Sequence, residues 1–175
     1  MQSTLYRASH WLALVCRLVA GAALIGLLSV TIADVSTRYL ARLTEGAIAL
    51  RVSGSVELVS YFMLFALLAA MAANVEKSQV VVEAFSHRLP QTIKNRLQGA
   101  FLLGFTALGL ILFVGLLDSA AAATRYGEIT QDLRLPMGPI YQLAAVLSLL
   151  LGIRSLIHAL LGVIYAAGEE AAHGE

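Results

Sequence analysis

Residues 102–117 read LLGFTALGLILFVGLL. The run holds no charged residue, and its apolar side chains do not alternate with polar ones. A strand of a membrane β-barrel alternates lipid-facing and lumen-facing residues over ~10 positions. This run does not, so the α-helix is what remains to satisfy every backbone N–H and C=O inside lipid. With its apolar flanks the run extends over roughly 99–123, with Asp118 near its end. That length crosses ~30 Å of hydrocarbon at ~1.5 Å per residue.

Three further runs have the same character. One covers about 11–33, is interrupted by Arg17, and is free of charge from 18 to 33. Another covers about 56–73, with Glu57 at its start. The last covers about 136–160, with Arg154 and His158 in its later part. A cleaved secretory leader is the alternative for the first run, with Arg7 in a basic flank and Ala33 near a cleavage site. The apolar stretch exceeds the usual 7–15 residues of such a leader, so it is read as an uncleaved span.

The composition agrees. Of 175 residues, 59 % are hydrophobic and 13 % charged, against about 25 % charged in soluble domains. The mean hydropathy is +0.80. The formal net charge of +1 offers no basic excess for nucleic acid and no acidic tail. Cys16 is the sole cysteine, which excludes an internal disulfide, and Val15 before it does not suit a lipoprotein site. The expected fold is an all-α integral membrane protein. It has four transmembrane helices, forms one membrane domain over 1–175, and carries short amphipathic helices in its loops. Val81, Val82, Phe85 and Leu89 recur at helical spacing among polar residues before Pro90, which suits a helix in the interface plane. The first loop, from Asp34 to Ser55, leaves room for a second around 45–51.

Arg7, Arg17, Lys77, Arg88, Lys94 and Arg96 fall on one side of the membrane in this layout. Arg38, Arg42, Arg51, Arg125 and Arg134 fall on the other. The six-to-five bias puts both termini in the cytoplasm by the positive-inside rule.

Ionisable residues within spans are functional candidates, because lipid makes them costly. Arg17 and Arg154 read as snorkelling to the interface, with His158 on the face of Arg154. Asp118 reads as an interfacial or ion-paired carboxylate rather than a proton carrier. Glu57 has two readings of equal standing. A carboxylate near a helix N-terminus is favoured by the macrodipole; alternatively, it pairs with a cation on a neighbouring helix such as Arg38. Four histidines, with only His158 near a span, do not supply the facing pairs of a haem-binding bundle. No hydrolase, zinc-protease, Walker or dinucleotide motif is present. Pairs such as Ala22/Gly26, Ala100/Gly104 and Gly162/Ala166 permit close helix packing. A non-enzymatic accessory subunit fits better than a self-sufficient pump.

Four segments resemble the small membrane subunit of tripartite ATP-independent periplasmic (TRAP) transporters. DVSTRY at 34–39 is similar to that family's Asn-x-x-x-Arg-Tyr, with Arg38 and Tyr39 matching and Asp34 departing. GSVE at 54–57 is similar to its Gly-x-x-Glu. KSQVVVE at 77–83 with Leu89 and Pro90 follows its next motif, with Gln79 where His is common and Glu83 where Asp is common. LRLP at 133–136 with Tyr141 resembles its Leu-x-Ile-Pro-x-x-x-x-Tyr, although a later proline is missing. Each motif is degenerate; their order and spacing are not.

The resemblance implies a scaffold subunit in the bacterial inner membrane. Its partners would be a large membrane subunit with substrate and sodium sites and a periplasmic binding protein that delivers an organic acid. It implies no catalytic residue, cofactor or metal in this chain. Arg38, Tyr39 and Glu57 are then candidates for holding the bundle or the subunit interface. The competing reading is a small four-helix transporter working as a dimer, like drug exporters. Those depend on an acid deep in the first helix, and 18–33 has none. A membrane anchor of a redox enzyme is a third class, and the shortage of intramembrane histidine counts against it.

Overall fold

The computed structural model describes the backbone of residues 2–44, 53–75 and 91–172, and the side chains of 7, 9–44, 53–75 and 99–160. The backbone forms four helices: α1 (Gln2–Leu43), α2 (Ser55–Ala73), α3 (Gln91–Tyr126) and α4 (Met137–Ala172). Each contains a segment long and apolar enough to cross a membrane: Ser9–Leu43, Ser55–Ala73, Gly99–Tyr126 and Met137–Leu160. Among the described residues no strand occurs, only a single bridge between Ile129 and Pro136. The fold is therefore all-α with four membrane-length helices, as the unbroken apolar runs require. The interfacial helices expected at 81–89 and 45–51 lie outside the described residues.

α1 differs from the sequence reading, which ended its span at Ala33 and began a loop at Asp34. The helix continues through Asp34, Arg38 and Tyr39 to Leu43. No proline or glycine interrupts it after Gly26. Asp34 and Arg38 form an i,i+4 salt bridge at 2.8 Å, which supports those turns. Thr44 closes the helix, with its N–H and its hydroxyl both donating to the carbonyl of Leu40. At 1.5 Å per residue α1 is about 63 Å long, roughly twice the hydrocarbon thickness. α2 is about 28 Å long, one thickness. Asn74 ends α2 by bonding back to Ala70 and Met71 through its backbone N–H and to Ala70 through its side chain.

The helices follow one another in space in the order α1, α2, α4, α3, and α1 also touches α4 through Ser9. α1 and α3 form the two edges. Ser9 of α1, the end of α2 at Asn74, and Arg154 and His158 of α4 come together at one side, the terminal end. Tyr39, Gly54 and the α3–α4 turn gather at the other, the turn end.

Small residues make the row possible. The core consists of Cys16, Ala72, Ala73, Val75, Leu102, Leu151 and Ala159 in one cluster and Ala20, Ala69 and Leu147 in another. Lipid tails are as apolar as leucine, so helices gain by close backbone approach and not by escape from solvent. The closest approach is at Gly109. A Cβ there would stand 2.6 Å from the backbone nitrogen of Gly152 and 2.8 Å from the carbonyl oxygen of Ser148. Only glycine fits that crossing. Larger apolar side chains point outward, among them Leu18, Ile25, Ile32 and Ile111.

Candidate functional site

The chain's polar groups concentrate at the two ends of the row. At the turn end, α3 stops at Gly127, whose φ of 65° is left-handed. The Glu128 N–H then reaches back to the Ala123 carbonyl at 2.9 Å, a glycine-dependent helix stop. The following segment folds back on itself. Thr130 N–H donates to the Leu135 carbonyl (2.9 Å) and Met137 N–H to the Glu128 carbonyl (3.0 Å). Leu135 N–H donates to the Thr130 hydroxyl (3.0 Å). Arg134 takes a φ of 51°, uncommon for a residue with a Cβ.

Two amides at the tip of this turn find their acceptors on another helix. Asp132 N–H donates to Glu57 Oε1 at 2.9 Å and Leu133 N–H to Glu57 Oε2 at 3.1 Å. Each carboxylate oxygen thus takes one backbone donor from a segment some 75 residues away in sequence. Glu57 occupies the third position of α2, where glutamates commonly bend back to cap their own helix. Here it reaches outward. Gly54 completes the latch. It is the N-cap of α2 with φ 73°, and a Cβ on it would lie 2.4 Å from Leu133 Cγ. Left-handed backbone and lack of space both require glycine.

Arg38 and Glu57, one of the pairings open at the sequence level, are not brought together. Arg38 pairs with Asp34 and is 62 % exposed; Tyr39 is 64 % exposed. The reason is register. Gly26 of α1 abuts Phe62 of α2. Counting upward from there, α1 carries Arg38 about one helical turn, ~6 Å, past the level of Gly54. The extra helical turns of α1 take the arginine out of reach.

At the terminal end Arg154 departs from the snorkelling expectation. Its side chain is fully buried. Nη1 donates to the Ala72 carbonyl, and Nη2 lies 3.4 Å from the Ser9 hydroxyl, a long contact. The same hydroxyl is 3.0 Å from His158 Nε2. Ala72 sits in the last turn of α2, where carbonyls lose their intrahelical partners and a cation is favoured by the helix dipole. Arg154 therefore caps α2 from α4 and gathers the start of α1. Arg17 on α1 is exposed, as snorkelling requires. Sequence reasoning missed the Arg154 role because charge inside a span reads alike whether the side chain turns toward the interface or the core. Among the described residues no group of His, Cys, Asp and Glu could hold a metal ion.

Fold and polar sites together define a multi-pass membrane protein in which a partly exposed carboxylate and a buried guanidinium tie helices to one another. The sequence model of one family, the DctQ component of tripartite ATP-independent periplasmic transporters, matches residues 27–164. The match runs from within α1 into α4 and takes in Glu57, the α3–α4 turn, Ala72, Arg154 and His158, while Ser9 precedes it; the chain belongs to this family of small TRAP transporter components. No curated protein and no solved structure matches the chain.

Replacing Glu57 with alanine removes the acceptor of the Asp132 and Leu133 amides. Faster hydrogen exchange at those two positions and a lower melting temperature in detergent are expected. Arg38→Ala should leave both exchange rates unchanged. Equal acceleration by the two substitutions would restore the Arg38 pairing.

Replacing Arg154 with leucine removes the donor to the Ala72 carbonyl and the contact to Ser9, at ~1–3 kcal/mol for each buried polar group left unsatisfied. Arg154→Lys, which keeps a donor and the charge, should lose less. Thermal unfolding of the two variants gives the order. Leucine as stable as arginine would show that the buried guanidinium is not a clamp.

Proposed function

We propose that this chain is the scaffold subunit of a sodium-coupled transporter for an organic acid. It would bind a large membrane subunit that carries the substrate and receives it from a periplasmic binding protein. The observation that carries this reading is the use of Glu57 and Arg154, whose bonds run between helices of this chain and tie them together. Family membership supports the partners, since the component belongs to a tripartite system. A transport domain that moves through the bilayer needs a static body against which to move. A row of four helices locked at both ends enlarges that body. Arg38 and Tyr39, exposed on the turns of α1 that continue past α2, are proposed as contacts for a partner at the membrane surface.

The proposed setting is the bacterial inner membrane, with one membrane domain and both termini in the cytoplasm. Orientation rests on the bias in lysine and arginine between the two sides. A reporter enzyme active only in the periplasm, fused after Glu175, should be silent and should become active when fused within the first loop. The reverse pattern would invert the topology.

Transport is tested in proteoliposomes under an inward sodium gradient. Uptake of an organic acid should require this chain, the large subunit and the binding protein together. Uptake by this chain alone would refute the scaffold role.

A further inference from the structure

Asp118 on α3 is used by neither polar site. It is exposed, and it makes no ion pair or hydrogen bond among the described residues. Its depth is set by its neighbours. Arg125 lies in the last turn of α3; Asp118 is two turns, about 10 Å, further into the span. Thr124 abuts Gly138 at the start of α4, and the adjoining turn is latched to the first turn of α2. Asp118 therefore lies below the level at which α2 begins, inside the apolar, membrane-length segment Gly99–Tyr126 of α3.

Its direction is equally defined. α3 turns Leu102, Thr106, Gly109 and Ala120 inward. Ala100, Gly104, Ala107, Ile111, Gly115 and Asp118 follow the helical period on the opposite face, and all are exposed. A Cβ added at Gly104 or Gly115 would meet nothing within 4 Å. α3 is an edge of the row, so this stripe points directly away from the protein. Ile111 in the stripe and Val114 beside it are large and exposed, as are Leu18, Ile25, Leu28 and Ile32 on the α1 edge; the carboxylate of Asp118 and the small residues around it are what set the α3 face apart.

A carboxylate directed into hydrocarbon is strongly disfavoured, so lipid is a poor occupant of the α3 face. A second copy related by a twofold axis along the membrane normal would set two Asp118 carboxylates at one depth, like charge against like. A different chain that supplies positive charge satisfies both constraints, and the small residues beside Asp118 let its backbone approach. We propose that the α3 stripe seats a transmembrane helix of the large transport subunit, with an arginine or lysine of that helix paired to Asp118. This rests on the scaffold reading and adds the face and the charge by which the subunits meet.

The test uses this chain co-expressed with its large TRAP membrane subunit. A photo-crosslinking amino acid is placed at Ile111 on the stripe, or at Ile25 on the α1 edge as control. Ile111 should cross-link to the large subunit and Ile25 to lipid. Asp118→Leu should reduce co-purified large subunit at least about tenfold, Asp118→Glu much less, and neither should change the melting temperature of the isolated chain. Cross-links from Ile111 to a second copy or to lipid alone would overturn the proposal, as would undiminished co-purification with Asp118→Leu. If the wild-type chain retains the large subunit but cross-links through Ile25, this face is wrong and the scaffold reading stands. If the wild type retains none, both fall together.

Discussion

A bilayer interior holds no water to pair a backbone group, and that constraint bears hardest where helices end. Within a helix each carbonyl has its partner four residues on; in the last turn it does not. α2, only one membrane thickness long, meets the problem at both of its ends. At one end Glu57 turns the need around and gives its carboxylate to the amides of Asp132 and Leu133, which the α3–α4 turn cannot satisfy internally. At the other end Arg154 donates to the Ala72 carbonyl. Both contacts bridge long stretches of sequence, so satisfying the backbone also assembles the molecule.

Packing follows from the same solvent. With little hydrophobic gain from putting leucine against leucine, the helices meet largely through alanine, serine and glycine, with Leu102, Leu147 and Leu151 inside and most other bulky apolar side chains facing out. The Gly109–Gly152 crossing brings two backbones into contact. A row in the order α1, α2, α4, α3 results, with one small core of Cys16, Ala72, Leu102 and Leu151 to which all four helices contribute. Such a row offers much surface to lipid and to a neighbouring subunit. Polar fastenings tie its ends.

The family's short motifs acquire a physical meaning in this arrangement. The glycine and glutamate of GSVE at 54–57 and the leucine of LRLP at 133–136 are parts of one latch. Gly54 makes room for Leu133, Glu57 holds the turn, and Pro136 stands immediately before α4. Each motif is too degenerate to carry an assignment alone. Their meeting in space explains why the order and spacing of the motifs are informative when the individual residues are not.

The all-helical, four-crossing design was legible in the sequence. It depends on local properties: unbroken apolar length and the absence of alternation, which lipid converts directly into helix. Glu57 was visible as a residue of interest for the same reason, an acid at the start of an apolar run. Its partner was not, because two backbone amides in a distant turn have no signature in side-chain identity. Arg38, the cation that sequence proximity suggested, is carried past Glu57 by the continuation of α1, and helix length beyond a span leaves only a weak trace in hydropathy. Arg154 shows the same limit: a charge within a span is evident from sequence, but whether it reaches for the interface or caps a neighbouring helix depends on which face its helix presents. The sequence by itself determined how many helices cross the membrane, since that follows from solvent and chain length. Only the tertiary structure decided which polar groups meet, since that depends on the rotation and register of each helix against the next.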